Sequence, residues 1–210
     1  WQAEKPRVAA RQQDRFEAMA TALDNAGKRA EASLAARIET DPGALRDWLG
    51  LAPLDNVTGD RFGAIAAQQI PNEASLRPRP GDPVEYAGQT MHWKALRLDE
   101  PRLDFNEFVG EVVDLGVAYA VCYVECDAPK KEVRMTLGID DAAKIYLNGE
   151  EIYPDLPRGT EPLIDLQEGL NTFVVKVVNI GGGWHSTLWL TENDGSPLSG
   201  IRTRIDPAFD

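Results

Sequence analysis

A mostly β, antiparallel sandwich preceded by a helical segment is the fold this sequence predicts, and three observations predict it. An Asn148-Gly149 pair separates two alternating apolar runs, at 142–147 and 150–153. A type I′ hairpin turn needs positive φ at both central residues, which Asn and Gly tolerate, so the pair marks a hairpin. Runs at 117–126 (VAYAVCYVEC), 170–180 (LNTFVVKVVNI) and 184–190 (WHSTLWL) have strand length and strand composition. At the other end of the chain, Phe16, Met19, Leu23, Ala26, Ala30, Leu34 and Ile38 recur every three or four residues, the single stripe of an amphipathic helix.

Taken in order, residues 1–40 form the helical segment, with a weak point at Asp24-Asn25-Ala26-Gly27 that fits a kink or a helical hairpin. It reads either as a coiled coil or linker, or as a helix lying on the sheets. Asp41-Pro42-Gly43 is a turn, and the apolar run 48–53 (WLGLAP) is a first strand. Residues 55–90 are rich in Gly and Pro and read as a long irregular loop, which inside a compact domain is usually functional or partly disordered. Residues 91–98 read as one strand and 104–109 as a short strand or bend. Residues 117–126 are apolar on both faces, with Val117, Tyr119, Val121 and Tyr123 on one and Ala118, Ala120, Cys122 and Val124 on the other. That pattern predicts a central strand covered on both sides. Strands at 132–137, around the hairpin, at 170–180 and at 184–190 complete eight to ten, and Asn193-Asp194-Gly195 turns into a short tail. The expected sandwich is 41–205, with 206–210 trailing.

The chain has 210 residues, 43% hydrophobic, and a formal net charge of −12. Residues 1–40 hold seven Lys/Arg and six Asp/Glu, so 41–210 carry −13. Such a surface argues against nucleic acid and anionic membranes, which require cationic side chains opposite phosphate. Cys122 and Cys126 lie four residues apart in one strand, roughly 13 Å, too far to form a disulfide. No apolar run reaches membrane-spanning length. No signal peptide is evident, and a chain beginning at Trp1 reads as a processed form or an excised piece of a longer protein.

Several motifs recur in an order that resembles a known family. Trp48-Leu-Gly-Leu-Ala-Pro-Leu54, Gly138-Ile-Asp-Asp, Lys144-Ile-Tyr-Leu-Asn-Gly149, Glu168-Gly-Leu-Asn171, the strand 174–179 and Gly183-Trp184 are similar to the galactose-binding-like β-sandwich modules found beside glycoside hydrolases and in large secreted or envelope proteins of planctomycete-type bacteria. Ala52 stands where that scheme has glycine, Leu54 where it has an aromatic, and Tyr146 where Trp is usual. The resemblance spans about 47–205 and implies a jelly roll without catalysis, often carbohydrate-binding, sometimes architectural, in some members holding a structural calcium.

Candidate chemistry is sparse. Asp140 and Asp141 either ligate calcium through oxygen or cap a turn before the hairpin. Trp184 and His185 follow Gly181-Gly182-Gly183, a permissive loop in which an indole could stack on a sugar ring; the competing reading is a Trp closing the sandwich. Asn148 at the hairpin joins these as a candidate ligand-binding residue. Trp93, Trp189, Tyr119 and Tyr146 read as core. His92 and His185 have no zinc-type spacing, and no nucleophile elbow, phosphate loop or dinucleotide fingerprint is present. The expectation is a non-catalytic binding module of carbohydrate-binding type, within a larger secreted or envelope protein, extracellular or periplasmic, in contact with other domains of that chain and inserted in no membrane. The alternatives are a structural or protein-interaction module that uses the helix, and an accessory domain of a glycoside hydrolase with its own activity.

Overall fold

The computed structural model describes residues 43–154 and 161–208. The predicted helix at 1–40 lies outside them. The described residues form a mostly β, antiparallel, sandwich-like fold of thirteen strands. The larger sheet runs β4 (Lys94–Arg97), β1 (Asp47–Asp55), β6 (Gly116–Cys126), β11 (Gly169–Val178), β8 (Ala142–Leu147), β9 (Glu150–Pro154). β13 (Ile201–Arg204) joins it by pairing with the second half of β6, where Ile201 faces Cys126, while β1 pairs with the first half. The smaller sheet runs β10 (Leu163–Leu166), β7 (Lys130–Asp140), β12 (His185–Thr191), β5 (Leu103–Asp104). β2 (Pro83–Tyr86) and β3 (Gln89–His92) form a separate hairpin.

The two sheets face each other across one core. Ala118, Ala120, Cys122 and Val124 of β6 and Val175 and Val177 of β11 meet Val133 and Met135 of β7 and Leu188 and Leu190 of β12. Both cysteines are buried and unpaired. The opposite face of the larger sheet is buried too. Val117, Tyr119, Val121 and Tyr123 join Val174 and Val178 beneath Ala64, Ile65, Ile70 and Trp93. The two-sided strand predicted at 117–126 is therefore present, with the predicted residues on each face.

What covers that second face is the irregular stretch expected to be a functional or disordered loop. It is a strap: α1 (Arg61–Ala66), capped where the Asp60 carboxylate accepts from Gly63 N at 2.8 Å, a 3-10 turn at Glu73–Ser75, and the β2–β3 hairpin. Each buried side chain such as Ile70 or Trp93 contributes about 1.5–3 kcal/mol, against about 0–1 kcal/mol for an exposed ion pair, so packing holds the strap. The single strand expected at 91–98 is split for the same reason. Trp93 drops into this outer core, its N–H donating to Asp82 O and its carbonyl accepting from Gly81 N, so β3 and β4 belong to different sheets.

Two further differences have local causes. The strand or bend expected at 104–109 is the short β5 followed by a helical turn, α2 (Phe105–Val109). Asp104 caps it by accepting from Glu107 N (3.1 Å), and Gly110 ends it at φ 92°. The short tail after the 193–195 turn contains β13, a paired strand.

The Asn148-Gly149 turn has the geometry expected of type I′, with φ of 52° and 91°. A Cβ at Gly149 would meet nothing nearer than Ala74 O at 3.9 Å, so conformation rather than space excludes other residues there. Gly149→Val is expected to destabilise by about 1–2 kcal/mol, the left-handed penalty, lowering the melting temperature by about 2–8 °C for a unit of this size. An unmoved melt contradicts the turn assignment.

Candidate functional site

The residues singled out in the sequence do not form one cluster. Asp140, Asp141, Trp184 and His185 lie where β7 ends and β12 begins, whereas Asn148 sits past the other end of β8, about 20 Å along the strand at 3.3 Å per residue.

Trp184 is fully buried, so its indole presents no open face to a sugar. Its ring packs on Phe105 (centroids 5.2 Å apart, planes at 39°) and its Nε1 donates to Val177 O at 3.4 Å. Gly116 makes room for it: a Cβ there would stand 2.8 Å from the indole Cη2. The reason is parity. Ser186, Leu188 and Leu190 point into the core along β12, and Trp184 shares their parity. Trp189 has the opposite parity and is half-buried on the outer face, opposite Thr136, rather than in the core as expected. Trp93, Tyr119 and Tyr146 are core residues.

His185 and Asp140 face each other across the β12–β7 ladder on that outer face, with Nδ1 3.9 Å from Oδ2. Asp141 caps the turn after β11: its Oδ2 accepts from Ile180 N at 2.7 Å, and its own N–H donates to Val178 O at 3.1 Å. The peptide bond between the two aspartates is cis. Among the described residues, no three His, Cys, Asp or Glu side chains gather as a metal site. Calcium on this pair would need carbonyl and water oxygens for the rest of its shell.

Asn148 is engaged in holding its turn to β11. Its Nδ2 donates to Asn171 Oδ1 (3.0 Å) and its Oδ1 accepts from Thr172 N (2.8 Å). Asn171, completely buried, also accepts from Gln167 N (3.0 Å) and donates to Gln167 O (2.8 Å). The Gly-Leu-Asn motif is thus a satisfied buried amide locking the hairpin, which is how a polar group survives burial. Beside the hairpin lies an open cleft of about 940 Å3, with Lys131, Asn148, Glu150, Asp165 and Gln167 along it and Leu147 and Ile152 among its apolar lining. A smaller cleft of about 300 Å3 shares Asn148 and Gln167.

Sequence reasoning missed a concentrated set of titratable groups beneath the strap. The Glu73 carboxylate accepts from Tyr119 Oη (2.5 Å) and Tyr146 Oη (2.8 Å) and stands 3.4 Å from Lys176 Nζ. Lys176, fully buried, also donates to the Ala67 and Ile65 carbonyls. A lysine inside the apolar run Val174-Val175-Lys176-Val177-Val178 was the available signal, since such a charge is buried only with a partner. Burial, then the hydrogen bond to Glu73, pushes the Tyr119 and Tyr146 phenols well above the usual range. Burial does the same for Tyr123, whose Oη donates to Pro78 O at 2.7 Å, and it lowers Lys176 against the pull of Glu73. Glu73, Tyr119, Tyr146 and Lys176 are all buried, and their hydrogen bonds and ion pair link the strap to the sheet.

No model of a known protein family matches this chain, and no curated protein matches it.

Two expectations follow from these environments. Trp184→Ala removes a fully packed indole, a loss of about 3–5 kcal/mol, or roughly 10 °C in melting temperature; a drop of only a degree or two contradicts its place in the core. Three tyrosines with raised folded values contribute stability that is complete below the unfolded value of about 10 and lost above it. Lys176, lowered in the folded state, acts in the opposite sense, and only below about 10.4. Phenolate absorbance from Tyr119, Tyr123 and Tyr146 should therefore appear only together with alkaline unfolding. Phenolate signals of all five tyrosines before the circular-dichroism change would contradict their burial.

Proposed function

We propose that residues 43–208 act as a non-catalytic, carbohydrate-binding module of galactose-binding-like, jelly-roll type in a secreted or envelope-associated protein, and that the ligand lies in the cleft beside the hairpin rather than against Trp184. One observation carries this reading. The cleft of about 940 Å3 sets amide and carboxylate groups, Asn148, Gln167, Glu150 and Asp165, beside the apolar Leu147 and Ile152. Sugars ask for that mixture, because their hydroxyls need donors and acceptors while their C–H faces prefer apolar surface. The open shape suits a chain or a terminal sugar held at a surface more than a substrate enclosed for chemistry. The order of motifs along 47–205 supports the same class.

A thermal-shift screen against polysaccharides and oligosaccharides tests it. A glycan at a hundred times its Kd adds about 2.7 kcal/mol, a rise of roughly 5–10 °C here, and Glu150→Ala and Gln167→Ala should each abolish most of it. Silence across the panel, or an undiminished shift in both variants, removes the proposal.

A further inference from the structure

At the end of the sandwich where β1 finishes and β6 begins, three loops are tied into one surface. Asn56 N donates to Leu115 O (2.8 Å), Leu115 N to Ile180 O (3.4 Å), and Asn179 N to Gly116 O (2.8 Å). Asn106 braces them: its Oδ1 accepts from Val113 N (3.0 Å) and its Nδ2 donates to Gly182 O (2.9 Å). Asn179 Nδ2 adds a bond to Val113 O at 2.6 Å.

This frame carries four of the six large hydrophobic side chains that are exposed among the described residues: Val57 (76%), Val112 (71%), Leu115 (42%) and Ile180 (36%). Clustered apolar exposure marks interaction surfaces in soluble proteins. Leu115 sharpens the point, because its φ is 55°, a conformation that glycine holds without strain. A leucine kept at such a position, with two-fifths of its surface in solvent, is a candidate for function. The charged residues of these loops have one sign. Segments 55–60, 110–115 and 179–184 contain Asp55, Asp60, Glu111 and Asp114 and no lysine or arginine. Asp141, bonded to Ile180 N, adds a fifth carboxylate. Arg61, the next cation along the chain, lies over the Phe62 ring at 4.7 Å.

We propose that this loop end docks a partner protein through a segment with an apolar centre flanked by lysine or arginine. The aliphatic patch supplies desolvated contact, and the carboxylates meet the partner's cations at the rim, where complementary charge sets approach and register. A second copy of this chain fits badly, since it would bring like carboxylates together. The surface lies at the opposite end of β8 from the carbohydrate cleft, so each stands or falls by itself.

The test is a titration of the 15N-labelled full chain with a short synthetic peptide of alternating lysine and leucine, followed by amide shifts. Shifts confined to 56–60, 110–115 and 179–182, with affinity falling about tenfold between about 50 and 300 mM salt, are expected. The double variant Val112→Ser/Leu115→Gly should lose binding while keeping its melting temperature, because Val112 is exposed and glycine suits the left-handed backbone. Four outcomes overturn the proposal: shifts elsewhere or none, equal binding of a peptide with glutamate in place of lysine, equal binding of oligolysine, or binding retained by the double variant. Concentration-dependent dimerisation through the same amides, without peptide, would name a second copy as the occupant and overturn it as well.

Discussion

The carboxylate of Glu73 is the contact on which the rest of the structure depends. It lies nearly buried under the strap and takes two phenol hydrogen bonds and one ammonium from three different strands, β6, β8 and β11. Removing an ion pair from water is expensive unless hydrogen bonds saturate the charges, and here Tyr119 and Tyr146 saturate the acid while the Ala67 and Ile65 carbonyls saturate Lys176. The arrangement specifies a register. In the observed placement of the 56–93 segment, Glu73 stands above the three strands while Ile65, Ile70 and Trp93 share a core with Val174 and Val178. Packing supplies most of the stability, and the cluster selects which packing forms.

Once the strap is in place, the central strands of the larger sheet are covered on both sides. One side meets the smaller sheet, the other meets the strap, and β6 and β11 run between two cores. The loop ends stay open to partners. The ends differ in chemistry. Around the hairpin, amides and carboxylates line an open cleft. At the other end, Val57, Val112, Leu115 and Ile180 stand among carboxylates. A module with two chemically distinct ends can hold a ligand at one while attached to a neighbour at the other.

How much of this was legible in the sequence depended on how local the cause was. The Asn148-Gly149 turn and both faces of 117–126 could be read directly, because a two-residue turn and a period of two are properties of adjacent residues. α2 was missed although its signals, Asp104 as cap and Gly110 as stop, were present in the chain. Trp189 was expected in the core and is half-buried on the outer face, while Trp184, read either as an exposed ligand contact or as closing the sandwich, is buried. The three glycines drew attention to an exposed loop, whereas the parity of Ser186, Leu188 and Leu190 already placed Trp184 inside. The strap was illegible for a physical reason. Its apolar residues are spaced to match a distant sheet rather than any local period, and Glu73 gains its meaning from Tyr119, Tyr146 and Lys176, 46, 73 and 103 residues away.

Native-state hydrogen exchange tests most directly the claim that the strap belongs to the core. The amides of Ala64, Ala67 and Trp93, which donate to Asp60 O, Gly63 O and Asp82 O, should exchange only through the same global opening that exposes β6 and β11. Their opening free energies should then equal that of the sheet and fall with it in denaturant. Exchange of the strap amides at much lower free energy, while β6 and β11 stay protected, would show a segment that lifts off independently and would contradict the central role given to Glu73.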